Sequence, residues 1–139
     1  MFSDVITIKC RQVVAGCTEG EAIVSTDAIA GWRSIDESDG RIVERNHCLF
    51  NKSIKDKILV FPVAKGSSGW SGTFHALALN GVAPRGMLVS YISAKSALGA
   101  VLVGCPTTTD FEQDPLKIIE TGDWVKVDAD AGLITVYKP

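Results

Sequence analysis

An α+β fold, with a mostly β core and two or three short helices, is predicted by three features of this 139-residue chain. Ile58-Leu59-Val60-Phe61-Pro62-Val63 is a continuous apolar run, the pattern of a central strand covered on both faces. Residues 122–128 and 132–136 alternate cleanly about Ala129-Asp130-Ala131-Gly132, the pattern of a hairpin. Between them Phe74, Leu77 and Ala78 recur at helical spacing, and Asn80-Gly81 with Pro84 beyond ends that helix early.

The remaining elements follow in order. Val5 to Val14 and Gly20 to Thr26 are rich in β-branched residues on either side of the Gly16 to Gly20 turn region, which predicts an N-terminal hairpin. From Asp27 to Asn46 the pattern loosens, with Trp32 and Ile35 as isolated anchors and Asp36-Glu37-Ser38-Asp39-Gly40 as an acidic turn. A surface excursion carrying a small strand, Arg41 to Glu44, is expected there. Lys57 to Val63 is the central strand, and Thr73 to Leu79 the helix after it. Met87 to Tyr91 and Val101 to Val103 read as strands about a helical or turn-like Ser93 to Leu98. Asp114-Pro115 supplies an N-cap and a first-turn proline for one helical turn, Leu116 to Glu120. No internal repeat or linker divides the chain, so 1–139 is expected to be one domain.

Lys65-Gly66-Ser67-Ser68-Gly69-Trp70-Ser71-Gly72 joins the central strand to the helix. A loop of this kind aims backbone N–H groups and small hydroxyls at whatever sits above the helix N-terminus, which outlines an anion site. Its bland account is a helix cap with a flexible approach. Capping needs one serine, however, and this loop carries three hydroxyls and three glycines within eight residues.

Composition narrows the partners. With 14 basic and 16 acidic residues and a net charge of -2, the chain has no electrostatic footprint for nucleic acid or an anionic membrane. Its apolar stretches fall short of the ~20 residues that span a bilayer. Met1-Phe2-Ser3-Asp4 leads straight into a strand pattern, so no targeting segment is read, and a cytoplasmic location with reduced thiols is expected. Cys10, Cys17, Cys48 and Cys105 are too scattered for a metal site of this chain's own. His47-Cys48 is expected to be a buried cysteine beside a hydrogen-bonded histidine.

Five motifs in order resemble a known family over nearly the whole chain: 45–54 (Arg45-Asn46-His47-Cys48 to Ile54), Leu59-Val60-Phe61-Pro62, Lys65-Gly66-Ser67-Ser68, Asn80-Gly81-Val82-Ala83-Pro84 and 121–128 (Thr121-Gly122-Asp123-Trp124 to Asp128). The chain resembles the small subunit of aconitase X, a branch of the aconitase superfamily. The resemblance implies a swivelling β/β/α domain that caps a large aconitase-like partner subunit, with an iron-sulfur cluster or iron centre held by that partner and none by this chain. In aconitases a Gly-Ser-Ser-Arg turn carries the serine that removes the substrate proton. Carried over by position, Ser67 is the catalytic base, and Lys65, Gly66, Ser68, Gly69 and Ser71 are substrate-binding. The motif's arginine is replaced by Gly69, so a bidentate carboxylate clamp is missing from the loop.

The family includes bacterial dehydratases of cis-3-hydroxy-L-proline and archaeal dehydratases of 5-phosphomevalonate. The weakly basic loop favours the hydroxyproline substrate, with the phosphorylated one as the alternative. Two other readings compete. Thr73-Phe74-His75-Ala76 resembles the start of the helix that carries phosphohistidine in phosphoenolpyruvate-utilising swivelling domains, with His75 as carrier. A non-catalytic module binding a small anion is the third. In the dehydratase reading, Trp70 or Trp32 anchors the partner.

Overall fold

The computed structural model describes residues 4–139, so the reading of Met1-Phe2-Ser3 lies outside it. In chain order the elements are β1 (Asp4–Lys9), β2 (Arg11–Val14), β3 (Cys17–Val24), β4 (Ile29–Ala30), β5 (Ile58–Phe61), β6 (Ala64–Lys65), α1 (Gly69–Leu79), β7 (Gly86–Val89), α2 (Ala94–Val103), β8 (Thr107–Thr109), α3 (Pro115–Ile118), β9 (Trp124–Asp128) and β10 (Leu133–Lys138). This is the sheet-dominated α+β fold with short helices that the sequence predicts.

Eight strands form one mixed sheet in the order β1-β10-β9-β3-β5-β7-β8-β2, and β4 and β6 form a small parallel pair beside it. β3, β5, β7 and β8 run parallel, with α1 and α2 as the crossovers from β5 to β7 and from β7 to β8. Parallel neighbours cannot be joined by a tight turn, which is why the helices fall between them. β9 and β10 make the predicted C-terminal hairpin, flanked by β1 and β3 in antiparallel register.

The central strand is buried on both faces, as its unbroken apolar run requires. Leu59 and Phe61 join Trp70, Phe74 and Leu77 in the cluster under α1 and α2, while Ile58 and Val60 join Val125, Val127 and Ile134 on the opposite face. β7 divides in the same way, Met87 and Val89 against Leu88. The period of two along each strand thus builds two cores from one sheet.

Within the fold, the structure departs from sequence expectation in several places. The N-terminal hairpin does not form: β1 pairs with β10, β2 with β8, and β3 with β9 and β5. The apolar run is split at Cys10, whose N–H donates to the Gly132 carbonyl at 3.0 Å. β1 and β2 therefore stand at the two ends of the strand order yet one residue apart in the chain, and the sheet must curl. Val101 to Val103 are not a strand but the last turn of α2. A Ser93/Ser96 capping box and Gly104 at φ 76 bound that helix, and two good caps outweigh the β preference of its valines.

β8, missed in the sequence, is Thr107-Thr108-Thr109; its fully buried hydroxyls include Thr109, whose Oγ1 donates to the Val89 carbonyl at 2.6 Å. The excursion is not merely superficial, because Ile29, Ile35, Ile42, Leu49 and Ile54 are core residues, and 41–44 makes only isolated bridges. Finally, Trp70 is no surface anchor. It is 1% exposed, stacks on Phe74 with centroids 3.9 Å apart, and donates its indole N–H to the Ile29 carbonyl at 2.9 Å. Trp32, 66% exposed, is the tryptophan that reaches solvent from this region. Among the described residues no helix is long and apolar enough to cross a membrane.

Candidate active site at the serine loop

α1 begins at Gly69, four residues before the expected start, so the serine loop is the helix entrance itself. Trp70, Ser71, Thr73, Phe74 and Leu77 form its buried face. Burying Trp70 and Phe74 pins the first turns to the core, leaving Lys65, Gly66, Ser67, Ser68 and Gly69 exposed above them. Gly66 sits at φ 97, a left-handed conformation that lets the chain turn from β6 into the helix and that only glycine adopts at little cost.

The hydroxyls have separate duties. Ser67 Oγ accepts the Gly69 N–H at 3.2 Å, and the Ser67 carbonyl accepts the Trp70 N–H at 3.2 Å. Ser68 occupies the N-cap position without using its side chain there. Ser71, 8% exposed, donates to the Ser68 carbonyl at 3.2 Å. The cap account of the loop is therefore incomplete, since the hydroxyl at the cap position is not the one that caps. A side chain on Gly69 would crowd the Ser67 hydroxyl, its Cβ lying 3.3 Å from Oγ. Glycine at 69 leaves the space beside that hydroxyl open.

The loop lies at the carboxyl end of β5, and the next parallel strand, β7, delivers the start of α2 beside it. A cavity of about 410 Å³ between the two helix entrances is lined by Gly66, Ser68, Ser71, Ser93, Lys95 and Leu98. The carboxyl edge of parallel strands is where open α/β sheets bind ligands. Of the residues named from the sequence, Gly66, Ser68 and Ser71 meet in this cavity, and Ser67 and Gly69 flank it. Lys65 does not join them: it leaves β6 toward Glu44, with Nζ 3.1 Å from Oε2. Lys95 takes its place, donating to the Gly66 carbonyl at 2.9 Å. Nothing contiguous in the sequence points to it, because Lys95 lies 29 residues from Gly66 and only the crossover through β7 brings the two together.

Beyond the loop, Asp27, His47 and Cys48 bring possible metal-ligating atoms within 4.8 Å of one another. The His47 ring is already committed. Nδ1 accepts the Leu49 N–H at 3.0 Å, which leaves the proton on Nε2 to donate to the Ala28 carbonyl at 3.0 Å. The Cys48 amide donates to Asp27 at 2.9 Å and is the main influence holding that carboxyl below its ordinary pKa. This is a network that ties the excursion to β4. The expected hydrogen-bonded histidine is found, whereas Cys48 is exposed rather than buried. His75 is the seventh residue of α1 and exposed, so it is not at the helix entrance where a phosphohistidine carrier belongs.

Comparison with known proteins gives a consistent result. A family model described as "Aconitase X swivel domain" matches residues 7–136. The phosphomevalonate dehydratase small subunit of Methanocella arvoryzae is 38% identical over 127 residues, covering 91% of this chain and 96% of its own. That of Methanosarcina acetivorans is 37% identical over 134 residues, covering 96% and 93%. The crystal structure of Thermococcus kodakaraensis aconitase X in its holo-form superimposes with a TM-score of 0.88 at 31% identity, over 96% of this chain and 99% of that one.

Proposed function

The chain belongs to the aconitase X swivel-domain family, and from that premise we propose that it is the small subunit of a dehydratase acting on 5-phosphomevalonate, with Ser67 as the base. The names of its relatives support the phosphorylated substrate over the cis-3-hydroxy-L-proline that the weakly basic loop suggested. The loop's own residues carry little charge, but Lys95 adds a cation from α2 to the cavity beside it.

The observation that carries the reading is the setting of Ser67: an exposed hydroxyl at the entrance of an 11-residue helix, already accepting one backbone N–H. A serine is a competent base only where its alkoxide is stabilised, and helix-entrance amides supply that stabilisation without further rearrangement. In the reaction, Ser67 Oγ takes a proton from the carbon next to the substrate carboxylate. The C–H electron pair becomes the new carbon–carbon double bond as hydroxide leaves the neighbouring carbon, and passing the proton gained by Ser67 to that hydroxide releases water and restores the serine alkoxide. Ser68 and Ser71 offer hydrogen bonds to bound substrate from the adjoining cavity.

The family resemblance implies an iron-sulfur or iron centre, and this chain's own residues do not fit one. A cluster is held chiefly by thiolates, yet of the four cysteines Cys48 alone falls in a group of possible ligands among the described residues, beside a histidine whose ring nitrogens are both engaged. The centre is assigned to the large partner, and the chain by itself is inactive. Trp32 and its neighbours in the excursion remain the surface proposed to meet that partner.

The test is reconstitution. This chain mixed with its large partner should dehydrate 5-phosphomevalonate, with neither chain active alone and cis-3-hydroxy-L-proline left unchanged. Turnover of the hydroxyproline instead would reverse the substrate choice, and no turnover of either would favour a non-catalytic module.

A further inference from the structure

We propose that Lys95 binds an oxyanion of the substrate, its phosphate or its carboxylate, and so sets the enzyme's preference for an acidic substrate. The inference rests on the reading of the serine loop as part of a dehydratase site.

The charge balance around the loop singles out this residue. Lys65, the cation adjacent in sequence, is neutralised by Glu44. Lys95 is half-buried, and among the described residues no carboxylate pairs with it; it donates instead to the neutral Gly66 carbonyl. An ammonium group has three protons to donate, so two remain for a ligand in the cavity it shares with Ser68, Ser71 and Ser93.

The position is also locally unfavourable. Lys95 is the second residue of α2, where the helix dipole repels a cation, and no acidic residue occupies the first turn to offset it. The turn is nevertheless held firmly, with the Ser93 N–H donating to Ser96 Oγ at 2.9 Å and the two hydroxyls 3.1 Å apart. A rigid backbone thus fixes a positive charge where the fold alone disfavours it, and an arriving anion would relieve that cost. The rest of the cavity wall includes Leu98, apolar and suited to the carbon skeleton that carries the anion.

Two variants of the assembled enzyme test this, Lys95→Met and Lys95→Arg, with 5-phosphomevalonate as substrate, unphosphorylated mevalonate as substrate or competitive inhibitor, and inorganic phosphate as inhibitor. Lys95→Met is expected to raise KM about 10-fold or more, the loss of a charged hydrogen bond, while kcat changes much less and Lys95→Arg keeps most of the affinity. Weaker inhibition by phosphate, with mevalonate affinity unchanged, identifies the phosphate as the bound group. Equal losses for both mevalonates, with phosphate inhibition unchanged, identify the carboxylate. An unchanged KM, or a lower kcat and melting temperature at constant KM, would overturn the proposal and leave Lys95 a strap on Gly66. A wild-type complex inactive on 5-phosphomevalonate would instead sink the dehydratase reading, and this inference with it.

Discussion

Gly99 of α2 lies flat against the indole of Trp70 in α1, so closely that a Cβ at position 99 would come within 2.8 Å of Trp70 Cε3 and overlap its neighbour in the ring. The missing side chain is what lets the two crossover helices pack, and Trp70 is the residue whose burial holds the serine loop's helix in place. The contact therefore couples the core to the candidate site. Only Ser68 and Gly69 separate Trp70 from Ser67, and a shift of the indole moves the helix entrance with it.

Gly99→Ala should accordingly destabilise the chain by about 1–3 kcal/mol, the usual result of overpacking a core, even though alanine favours helices. Trp70→Ala should cost more, about 3–5 kcal/mol, through lost contacts and a cavity. Denaturant unfolding of the isolated chain measures both. A Trp70→Ala chain as stable as wild type, with weaker partner binding, would return the residue to the surface.

How much of this was legible in the sequence depended on whether the signal was local. The unbroken run 58–61 and the alternation of 124–128 with 133–138 appear where expected, because burial on two faces and a tight hairpin both leave their mark on neighbouring residues. Asp114 caps α3 as predicted, accepting the Leu116 N–H at 2.9 Å. Pairing partners were not legible: β1 meets β10 across most of the chain's length, and nothing in residues 4–9 encodes that choice. Thr107-Thr108-Thr109 was passed over because its strand identity rests on burial beside β7 rather than on apolar side chains.

The site divided along the same line. The contiguous loop was visible, and Lys95, brought to it by the next crossover, was not. Trp70 was ambiguous for a related reason, since a tryptophan among glycines is compatible with either a surface or a core, and only the neighbouring Gly99 and the Ile29 carbonyl decide it.

Ser67→Ala in the assembled enzyme should lower kcat by about 10²- to 10⁴-fold, the range of a lost general base. Folding should be unaffected, because the hydroxyl is exposed and the bond it gives up, from Gly69 N–H at 3.2 Å, is open to water. Ser68→Ala should instead act on KM, its hydroxyl lining the cavity without serving as cap. Steady-state kinetics with circular dichroism as a folding control separates the two effects. Retention of more than a few per cent of kcat by Ser67→Ala would remove it as the base.

Cys105 gives the chain a specific alkaline weakness. The thiol is 6% exposed, and burial, only partly offset by hydrogen bonds with Thr107 and the Cys105 backbone, pushes its pKa from 9.0 up to about 11. Between those values the unfolded chain has lost this proton while the folded chain keeps it, so the unfolded state binds fewer protons and stability falls as pH rises. Below pH 9 the thiol is protonated in both states and contributes no slope. Inside the window it should contribute a loss approaching about 1.4 kcal/mol per pH unit. The measurement is a difference, so that every other pH effect cancels: unfolding free energies of wild type and Cys105→Ala compared at pH 8 and pH 10.5. The variant should be less stable at pH 8 because it loses buried atoms, and the gap between the two chains should narrow or invert at pH 10.5. A gap that stays constant would mean that the folded state does not hold the Cys105 proton. Alkylation at pH 8 should tell the same story, modifying the exposed Cys17 and Cys48 in the native chain and Cys105 only after unfolding.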